Sequence, residues 1–296
     1  MSSTFERQYL GVLGNILETG QREPNRTGID TLATWGQTLN IPLGEGFPIV
    51  TTRKTTLRIA FEETWFFLRG ETDTRKLQDK NIHIWEGNTS REFLDKVGLN
   101  YLPEGHLGKG YSFQWRNFGG EYMDRTNYTK QNKGFDQVTA LIEGMQKDPT
   151  GRRHIITAWN PQQTKEMALP PCHLYQQYRV TSDGKLNSSF VMRSWDYLYG
   201  APFNIMGYAL LNHAFAKLLK LEPGNLFAVG MDVHLYENQL DIAREQVKRT
   251  PFALPKLTIN KELNTLEDIL SMEYSDLSLE GYEAHPDFKN KPKMAI

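Results

Sequence analysis

The segment from residue 203 to residue 220 is apolar on nearly every side of a helix. A helix with this pattern has to be buried in a large core, because no face of it is suited to water. With 296 residues, the chain is long enough to build such a core without disulfides or metals. The apolar residues of the segment are Phe203, Ile205, Met206, Tyr208, Leu210, Leu211, Phe215, Leu218 and Leu219.

Further helices and strands are predicted on both sides of this central helix. Helical spacing of apolar residues predicts helices over residues 4–19, 55–68 and 135–146. Strand-like runs cover residues 31–41, 154–159, 174–181, 186–194, 226–236 and 256–259. Because helices and strands do not alternate strictly, we expect an α+β fold with one large mixed β-sheet flanked by helices. We expect a single domain over residues 1–296, with a small surface insertion around residues 86–110 that includes a short helix over residues 90–97.

Charge and composition exclude several classes of protein. The formal net charge is −1, so the chain has no general nucleic-acid-binding character, and a bound anion needs a local cluster of arginines. No run approaches the ~18–20 apolar residues of a membrane span, and the first residues lack a signal-peptide pattern. The chain has one cysteine, which rules out an internal disulfide and a multi-cysteine zinc site. We expect a cytoplasmic protein that requires no metal, no membrane and no nucleic acid.

The one cysteine, Cys172, is followed by His173 and lies between a Pro-Pro turn and a predicted strand. A lone cysteine is ordinarily a small buried apolar residue. It becomes a nucleophile where nearby positive charge favours its thiolate. By itself the pair leaves a cysteine protease or another thiol enzyme open.

Arginines recur in short polar contexts at Arg26, at Arg152 with Arg153, and at Arg193, which precedes Ser194. Guanidinium groups and a serine hydroxyl suit a phosphate dianion. The alternative is that each arginine is a solvated charge in a turn. Three such sites in a nearly neutral chain favour a phosphorylated ligand.

Two polar residues lie in otherwise apolar helices. Glu63 follows Glu62, and one of the two can face inward, where burial raises the pKa of a carboxyl group and suits it to acid–base work. Asn204 stands near the start of the central helix. Its side-chain amide has one acceptor and two donors, which match the N3–H and O4 edge of uracil. The alternatives are a solvated glutamate and an asparagine that bonds to its own backbone.

Taken together, these motifs resemble the thymidylate synthase family over nearly the whole chain. The nucleophile motif is similar to residues 167–173, the paired-arginine strand to residues 152–161, and the central helix to residues 202–211. Residues 232–236 and the ending 294–296 also fit, and the insertion at residues 84–94 resembles that of the animal enzymes. The resemblance implies the thymidylate synthase fold and a transferase that attaches one carbon to C5 of dUMP, with 5,10-methylenetetrahydrofolate as carbon donor and reductant.

The resemblance also implies roles for individual residues. It implies that Cys172 adds to C6 of the pyrimidine and that Glu63 handles protons, helped by Tyr111 and His173 through water. Residues implied to bind the nucleotide are Arg26, Arg152, Arg153, Arg193, Ser194, Asp196, Asn204, His234 and Tyr236. Residues implied to contact the folate are Trp85, Asn88, Asp196, Tyr199, Gly200, Phe203 and Ala295. Arg152 and Arg153 are expected to come from a partner subunit, which makes the protein a homodimer.

Several positions depart from the usual synthase pattern. These positions are residues 109–112, Thr56, Met192, Trp195, Tyr199, Met231 and Gln239. They cluster where the folate is expected, so they concern the fate of the one-carbon unit rather than the first addition. Hydride gives a methyl product and water gives a hydroxymethyl product, as in the related phage hydroxymethylases. The sequence therefore predicts dTMP formation, with dUMP hydroxymethylation as the alternative. A regulatory homologue without activity is a further alternative.

Overall fold

The computed structural model describes residues 3–122 and 134–289 of the chain. The α-helices in these stretches are α1 (Thr4–Thr19), α2 (Leu57–Leu68), α3 (Arg75–Gln78), α4 (Glu86–Thr89), α5 (Arg91–Lys96), α6 (Tyr111–Asn117), α7 (Gln137–Lys147), α8 (Gly200–Leu219), α9 (Leu240–Gln246) and α10 (Leu266–Leu270). The strands are β1 (Gln21–Glu23), β2 (Thr31–Pro42), β3 (His154–Thr157), β4 (His173–Val180), β5 (Lys185–Asp196), β6 (Glu222–Tyr236), β7 (Lys256–Ile259) and β8 (Leu277–Glu280).

The larger sheet is mixed and has six strands in the order β1-β2-β6-β5-β4-β3, and β7 and β8 form a second, two-stranded sheet. Neighbours β1 and β2, β2 and β6, and β3 and β4 are antiparallel, whereas β5 and β6 are parallel. The predicted α+β class with one large mixed sheet is therefore confirmed. Within the described residues, no helix combines the length and the apolar character that crossing a membrane requires.

The chain divides into two compact units, Met1–Phe61 with Val180–Ala295, and Glu62–Arg179. The central helix of the first unit is α8, which contacts β5 and β6. Its residues are buried on nearly all sides, as the apolar pattern predicts. The helix ends at Lys220, which adopts a left-handed conformation with φ 57°. The N–H of Lys220 there donates to the carbonyls of Ala216 and Lys217, which satisfies two of the last helical acceptors.

A buried carboxylate holds the loop that precedes α2 in the first unit. Glu6 of α1 is fully buried and accepts hydrogen bonds from the Thr51 N–H at 2.8 Å, the Thr51 hydroxyl at 2.6 Å and the Thr52 N–H at 2.7 Å. The chain beyond β8 lies against the same loop, because the Tyr282 hydroxyl donates to the Val50 carbonyl at 2.9 Å. These bonds anchor the described part of the tail.

In the second unit, buried amide side chains position α6. Gln114 of α6 donates to the Lys109 carbonyl and to the Gln163 side chain, each at 2.9 Å. Gln137 of α7 donates to the Gln114 carbonyl at 2.8 Å. A small core joins the segment predicted as a surface insertion to Ala168. From the insertion it contains Leu94, Leu99 and Leu102.

The predicted helices and strands agree with the structure to within four residues at each end. The sequence did not predict α3, α4, α6, α9, α10, β1 or β8. Strand β1 spans three residues, which is too short to show alternation. Helices α3, α4 and α10 span only four or five residues, which is too short to show a helical period. Helix α6 starts at Tyr111 after a glycine-rich stretch and is buried on nearly all its faces, so it shows no amphipathic period.

Candidate active site

Cys172 lies at the turn that leads from Pro170 and Pro171 into β4, which begins at His173. Its side chain is half-buried. Its backbone N–H donates a hydrogen bond of 2.6 Å to the hydroxyl of Tyr111, the buried first residue of α6. The phenol of Tyr111 therefore fixes the backbone at the candidate nucleophile, which is itself half-buried.

Tyr111 belongs to a cluster of aromatic rings. It stacks on Phe67 of α2 with 4.9 Å between ring centroids, and it meets Trp85 edge-on at 6.1 Å and His173 edge-on at 4.9 Å. Stacked and edge-to-face pairs are favourable geometries, so each ring restrains the orientation of its neighbours. The cluster brings Cys172, Tyr111 and His173 next to the face of α2 that bears Phe67.

Glu63 lies one turn before Phe67 on α2 and faces the same cluster. Its carboxylate accepts a hydrogen bond of 2.9 Å from the indole N–H of Trp85. Burial raises the pKa of Glu63 to about 7, and the bond from Trp85 only partly opposes this effect. A carboxyl group with this pKa can hold or release a proton near neutral pH.

The neighbouring Glu62 has a different environment. Its carboxylate lies 2.7 Å from the ammonium group of Lys80, and its side chain is buried. The sequence left open which of the two glutamates faces inward. The structure assigns Glu62 to an ion pair and Glu63 to the aromatic cluster around Tyr111, so Glu63 is the candidate acid–base group.

His173 is a further titratable side chain next to Cys172. Burial lowers the pKa of His173 to about 4. Its imidazole is therefore neutral at neutral pH, with one donor and one acceptor nitrogen. A neutral ring supplies no positive charge, so the charge that favours a thiolate at Cys172 has to come from another group.

Arg152 and Arg153 precede β3, and both are exposed. The Arg152 carbonyl accepts a hydrogen bond of 3.1 Å from the side chain of Gln177 on β4, which fixes the backbone there. The arginines thus stand on an anchored strand end with exposed side chains.

Asn88 of α4, expected at the folate, is partly buried, and its Nδ2 is a buried atom without a hydrogen-bond partner in the described part of the chain.

A second group of candidate residues lies in the first unit, where β5 ends and α8 begins. Arg193 and Ser194 are partly buried near the end of β5. Asn204 lies in the second turn of α8, and its Oδ1 accepts a hydrogen bond of 3.0 Å from the indole N–H of Trp195. The sequence singled out Trp195 as unusual but did not predict this bond.

Asp196, the last residue of β5, is held by donors from its own unit. It accepts hydrogen bonds of 3.2 Å from the Tyr199 N–H and of 3.2 Å from the side chain of Gln239. In the pairing of β5 with β6 it lies opposite His234. Burial raises the pKa of Asp196, although the hydrogen bond from the Tyr199 N–H opposes the rise.

His234 and Asp232 point to the same face of β6, since alternate residues of a strand share a face. His234 Nδ1 lies 2.7 Å from Asp232 Oδ1, and its ring meets Tyr236 edge-on at 5.3 Å. Because an ionised carboxylate can only accept, Nδ1 carries the proton, and Nε2 of a neutral ring is an acceptor. The Asp-x-His spacing was visible in the sequence, but Asp232 was given no role.

Arg26 is exposed in a turn that its neighbours fix. Asn25 Oδ1 accepts a hydrogen bond of 2.9 Å from the Thr27 N–H, and Asn25 Nδ2 donates to the Ile29 carbonyl at 2.6 Å. Gly28 has a φ of 75°, which favours glycine. No described contact joins Arg26 to another candidate residue.

The remaining residues expected at the folate lie at the start of α8. The guanidinium of Arg53 lies over the Tyr199 ring, 4.8 Å from its centroid. The Tyr199 hydroxyl is buried and has no hydrogen-bond partner among residues 3–122 and 134–289. Gly200 and Phe203 follow in the first turn of α8 and are partly buried. Ala295 lies outside the described residues.

Contacts within each unit therefore assemble two groups of candidate residues. The first group contains Glu63, Trp85, Tyr111, Cys172 and His173. The second contains Asp196, Tyr199, Asn204, His234 and Tyr236, with Arg193 and Ser194 on the adjoining part of β5. Within the described ranges, no three His, Cys, Asp or Glu side chains gather in a way that could hold a metal ion.

An ion pair that the sequence did not predict lies next to the first group. The Lys109 ammonium is 2.8 Å from the Glu166 carboxylate, and the Lys109 N–H donates to the Glu166 carbonyl at 2.9 Å. Gly108 allows this approach, since a Cβ there would lie 2.3 Å from the same carbonyl oxygen. The pair ties the segment before Tyr111 to the segment before Cys172. No local pattern could have indicated it, because the two residues are far apart in the chain.

Comparison with known proteins identifies the family. The family model for thymidylate synthase matches residues 7–295, and the chain belongs to the thymidylate synthase family. It is 41% identical over 285 residues to "Thymidylate synthase 1/2" of Encephalitozoon cuniculi, covering 96% of each chain. It is 41% identical over 286 residues to the thymidylate synthase of equine herpesvirus 2, covering 96% of this chain and 97% of that one.

Longer relatives also match. The chain is 41% identical over 292 residues to a bifunctional dihydrofolate reductase-thymidylate synthase of Paramecium tetraurelia, which covers 98% of this chain. It spans only 61% of that relative's length.

Proposed function

We propose that this protein transfers one carbon to C5 of dUMP, converting dUMP and 5,10-methylenetetrahydrofolate into dTMP and dihydrofolate. Membership of the thymidylate synthase family and the names of the relatives support the proposal. The observation that supports it most directly is the first group of residues, in which a half-buried Cys172 and a Glu63 with a pKa near 7 adjoin the same Tyr111 ring cluster.

In this proposal Cys172 acts as the nucleophile. Its thiolate forms a bond to C6 of the pyrimidine, and the electron pair of the C5–C6 double bond moves to make C5 an enolate-like nucleophile. C5 forms a bond to the one-carbon unit of the folate, and the proton at C5 is lost as the bond between that carbon and the folate nitrogen breaks. Hydride from the folate then completes the methyl group, and the thiolate leaves C6 as the C5–C6 double bond re-forms, so Cys172 is regenerated.

Glu63 is the proposed proton carrier of the reaction. With a pKa of about 7 it is present in both protonation states near neutral pH, which suits a group that first gives and later takes a proton. Tyr111 and the neutral His173 are proposed to assist through water. Because burial keeps His173 neutral, its ring can relay a hydrogen bond without competing for the proton of Glu63.

The second group is proposed to bind the nucleoside. The Asn204 amide matches the uracil edge, since its oxygen accepts from N3–H and its nitrogen donates to O4. His234 donates Nδ1–H to Asp232, so its Nε2 can accept a bond from the deoxyribose 3′-hydroxyl. Tyr236, edge-on to His234, is proposed to hold the same hydroxyl.

We propose that arginines bind the 5′-phosphate. Arg26, Arg193 and the Ser194 hydroxyl come from one chain. Arg152 and Arg153 are proposed to reach the site of a partner subunit, so that the protein acts as a homodimer. Their exposed position on an anchored strand end supports this role. Guanidinium groups around the thiolate would also supply the positive charge that neutral His173 does not.

Mixing two inactive variants tests the shared site. Arg152→Ala/Arg153→Ala and Cys172→Ala are each expected to be inactive as homodimers. When the two are unfolded together and refolded in equal amounts, half of the dimers are mixed and each has one complete site. The expected activity is about a quarter of the wild-type value. Activity that stays at the level of the separate variants would contradict the partner contribution.

The residues proposed to contact the folate fit a ligand with polar groups. Asn88 Nδ2 and the Tyr199 hydroxyl are buried without a partner among the described residues, and buried polar atoms normally have one. A bound ligand can satisfy them. Trp85 is buried and donates its N–H to Glu63, so the proposed folate contact and the proton carrier are linked through one side chain.

We further propose that residues 1–296 act as one catalytic domain in the cytoplasm. The relatives named above are called thymidylate synthases, and they give no support to the hydroxymethylase alternative.

A spectrophotometric assay tests the function, because dihydrofolate formation is expected to raise the absorbance when dUMP and 5,10-methylenetetrahydrofolate are mixed with the protein. Cys172→Ala is the control and is expected to give no rise. An equal rise with that variant, or none with the wild type, would contradict the proposal.

A further inference from the structure

Trp195 places a hydrogen-bond donor on the residue proposed to recognise the base. Its indole N–H lies 3.0 Å from Oδ1 of Asn204. We propose that Trp195 is a positioning residue that holds the Asn204 amide in the orientation that accepts uracil and rejects cytosine. The inference rests on the proposed function, because it requires Asn204 to face the pyrimidine.

The bond from Trp195 determines which way the amide points. An indole nitrogen is a donor only, whereas an amide side chain has an acceptor oxygen on one side and a donor nitrogen on the other. Rotating the Asn204 amide by half a turn would set its NH₂ group against the indole N–H. The bond would be lost and two donors would face each other, so Trp195 favours a single orientation of Asn204.

The Trp195 ring is itself held in place. It is 1% exposed, and it meets Phe190 edge-on at 5.8 Å and Tyr197 edge-on at 5.4 Å. Gly230 on the neighbouring strand β6 makes room for the ring, since a Cβ at that position would lie 2.6 Å from ring atom Cε3. These contacts hold the indole N–H on the side of Asn204 where Oδ1 lies.

The two pyrimidines present opposite patterns along this edge. Uracil has a donor at N3–H and an acceptor at O4, whereas cytosine has an acceptor at N3 and donors on its 4-amino group. The Oδ1 atom of Asn204 has two lone pairs, so it can accept from Trp195 and from N3–H while Nδ2 donates to O4. Binding cytosine in the same position requires the rotated amide, and Trp195 opposes that rotation.

The sharpest test removes only the donor. Trp195 is replaced by 3-benzothienylalanine, in which sulfur takes the place of the ring N–H and the ring size is kept. Dissociation constants for dUMP and dCMP are measured by calorimetry, and KM and kcat by steady-state assay. The preference for dUMP over dCMP is expected to fall on the order of tenfold, the value of one hydrogen bond, and to do so in Kd and KM rather than in kcat. Trp195→Phe, a second variant without the donor, is expected to change the preference in the same direction.

The matched control is the same 3-benzothienylalanine replacement at Trp35 of β2, which is 78% exposed. It makes the same chemical change without touching the donor to Asn204, and it is expected to leave the preference between the two nucleotides unchanged. An unchanged preference after the replacement at Trp195, or an equal change after the replacement at Trp35, overturns the role of Trp195. If the wild type binds no dUMP and forms no dihydrofolate, the proposed function fails and the inference fails with it. If the wild type is active and prefers dUMP but the replacement keeps that preference, only the inference fails.

Discussion

Replacement of Glu63 by glutamine separates the charge of this side chain from its shape. The amide oxygen of glutamine can still accept the 2.9 Å hydrogen bond that Glu63 accepts from the Trp85 indole. The substitution removes only the ability to ionise. Turnover is expected to fall by about 10²–10⁴-fold, the usual contribution of a positioned acid–base group.

The same substitution is expected to stabilise the fold at alkaline pH. Burial raises the pKa of Glu63 from 4.5 to about 7, so between these values the folded protein binds more protons than the unfolded chain. Stability therefore falls as the pH rises through this window and levels off above it. At about 1.4 kcal/mol per pH unit the full effect is about 3 kcal/mol, and glutamine escapes it.

Urea unfolding of wild type and Glu63→Gln at pH 5 and pH 8 measures the effect. The variant is expected to be more stable by about 1 kcal/mol at pH 5 and by about 3 kcal/mol at pH 8. The control is Glu62→Gln, which removes the ion pair with Lys80. It is expected to be destabilised by about 1 kcal/mol at pH 8 and to keep its activity. A Glu63→Gln stability difference that is equal at the two pH values would refute the assignment of a raised pKa.

Two other substitutions test residues of the two groups. Asn204→Asp is expected to shift the preference from dUMP towards dCMP, because a carboxyl group can accept from the 4-amino group of cytosine. Paired kcat/KM measurements with the two nucleotides check this, and a variant that keeps the wild-type preference contradicts the assignment of Asn204. Tyr111→Phe removes the hydroxyl that accepts the 2.6 Å hydrogen bond from the Cys172 N–H. This variant is expected to lower kcat about tenfold with little change in the KM for dUMP. A change confined to KM would contradict a role of Tyr111 in positioning the nucleophile.

The elements with a long repeat of apolar residues were predictable from the sequence. Helix α8 is apolar on nearly all sides, and β5 and β6 are long enough to show a strand pattern. Helix α6 was not predicted, although it bears Tyr111. Its position depends on buried amides such as Gln114 and Gln137 that meet only in the folded chain. Local patterns therefore predict the core, and tertiary contacts place the side chain next to the nucleophile.

The candidate site residues were named through motifs, but their environments were not. The sequence could not decide which of Glu62 and Glu63 faces the cluster, because that depends on where Lys80 and Trp85 lie. The bond from Trp195 to Asn204 joins residues nine positions apart, on a strand and the following helix. The spacing rules for a single helix or strand do not apply across such a turn, so the contact could not be predicted from the sequence.

The mass of the product nucleotide tests whether Cys172 starts a reaction that leaves a methyl group on C5 of dUMP. The protein is incubated with dUMP and 5,10-methylenetetrahydrofolate, and the nucleotide is analysed by mass spectrometry beside a Cys172→Ala control. We expect dTMP with the wild type and unchanged dUMP with the variant. Unchanged dUMP with the wild type, or a product heavier than dTMP by one oxygen atom, would contradict this expectation.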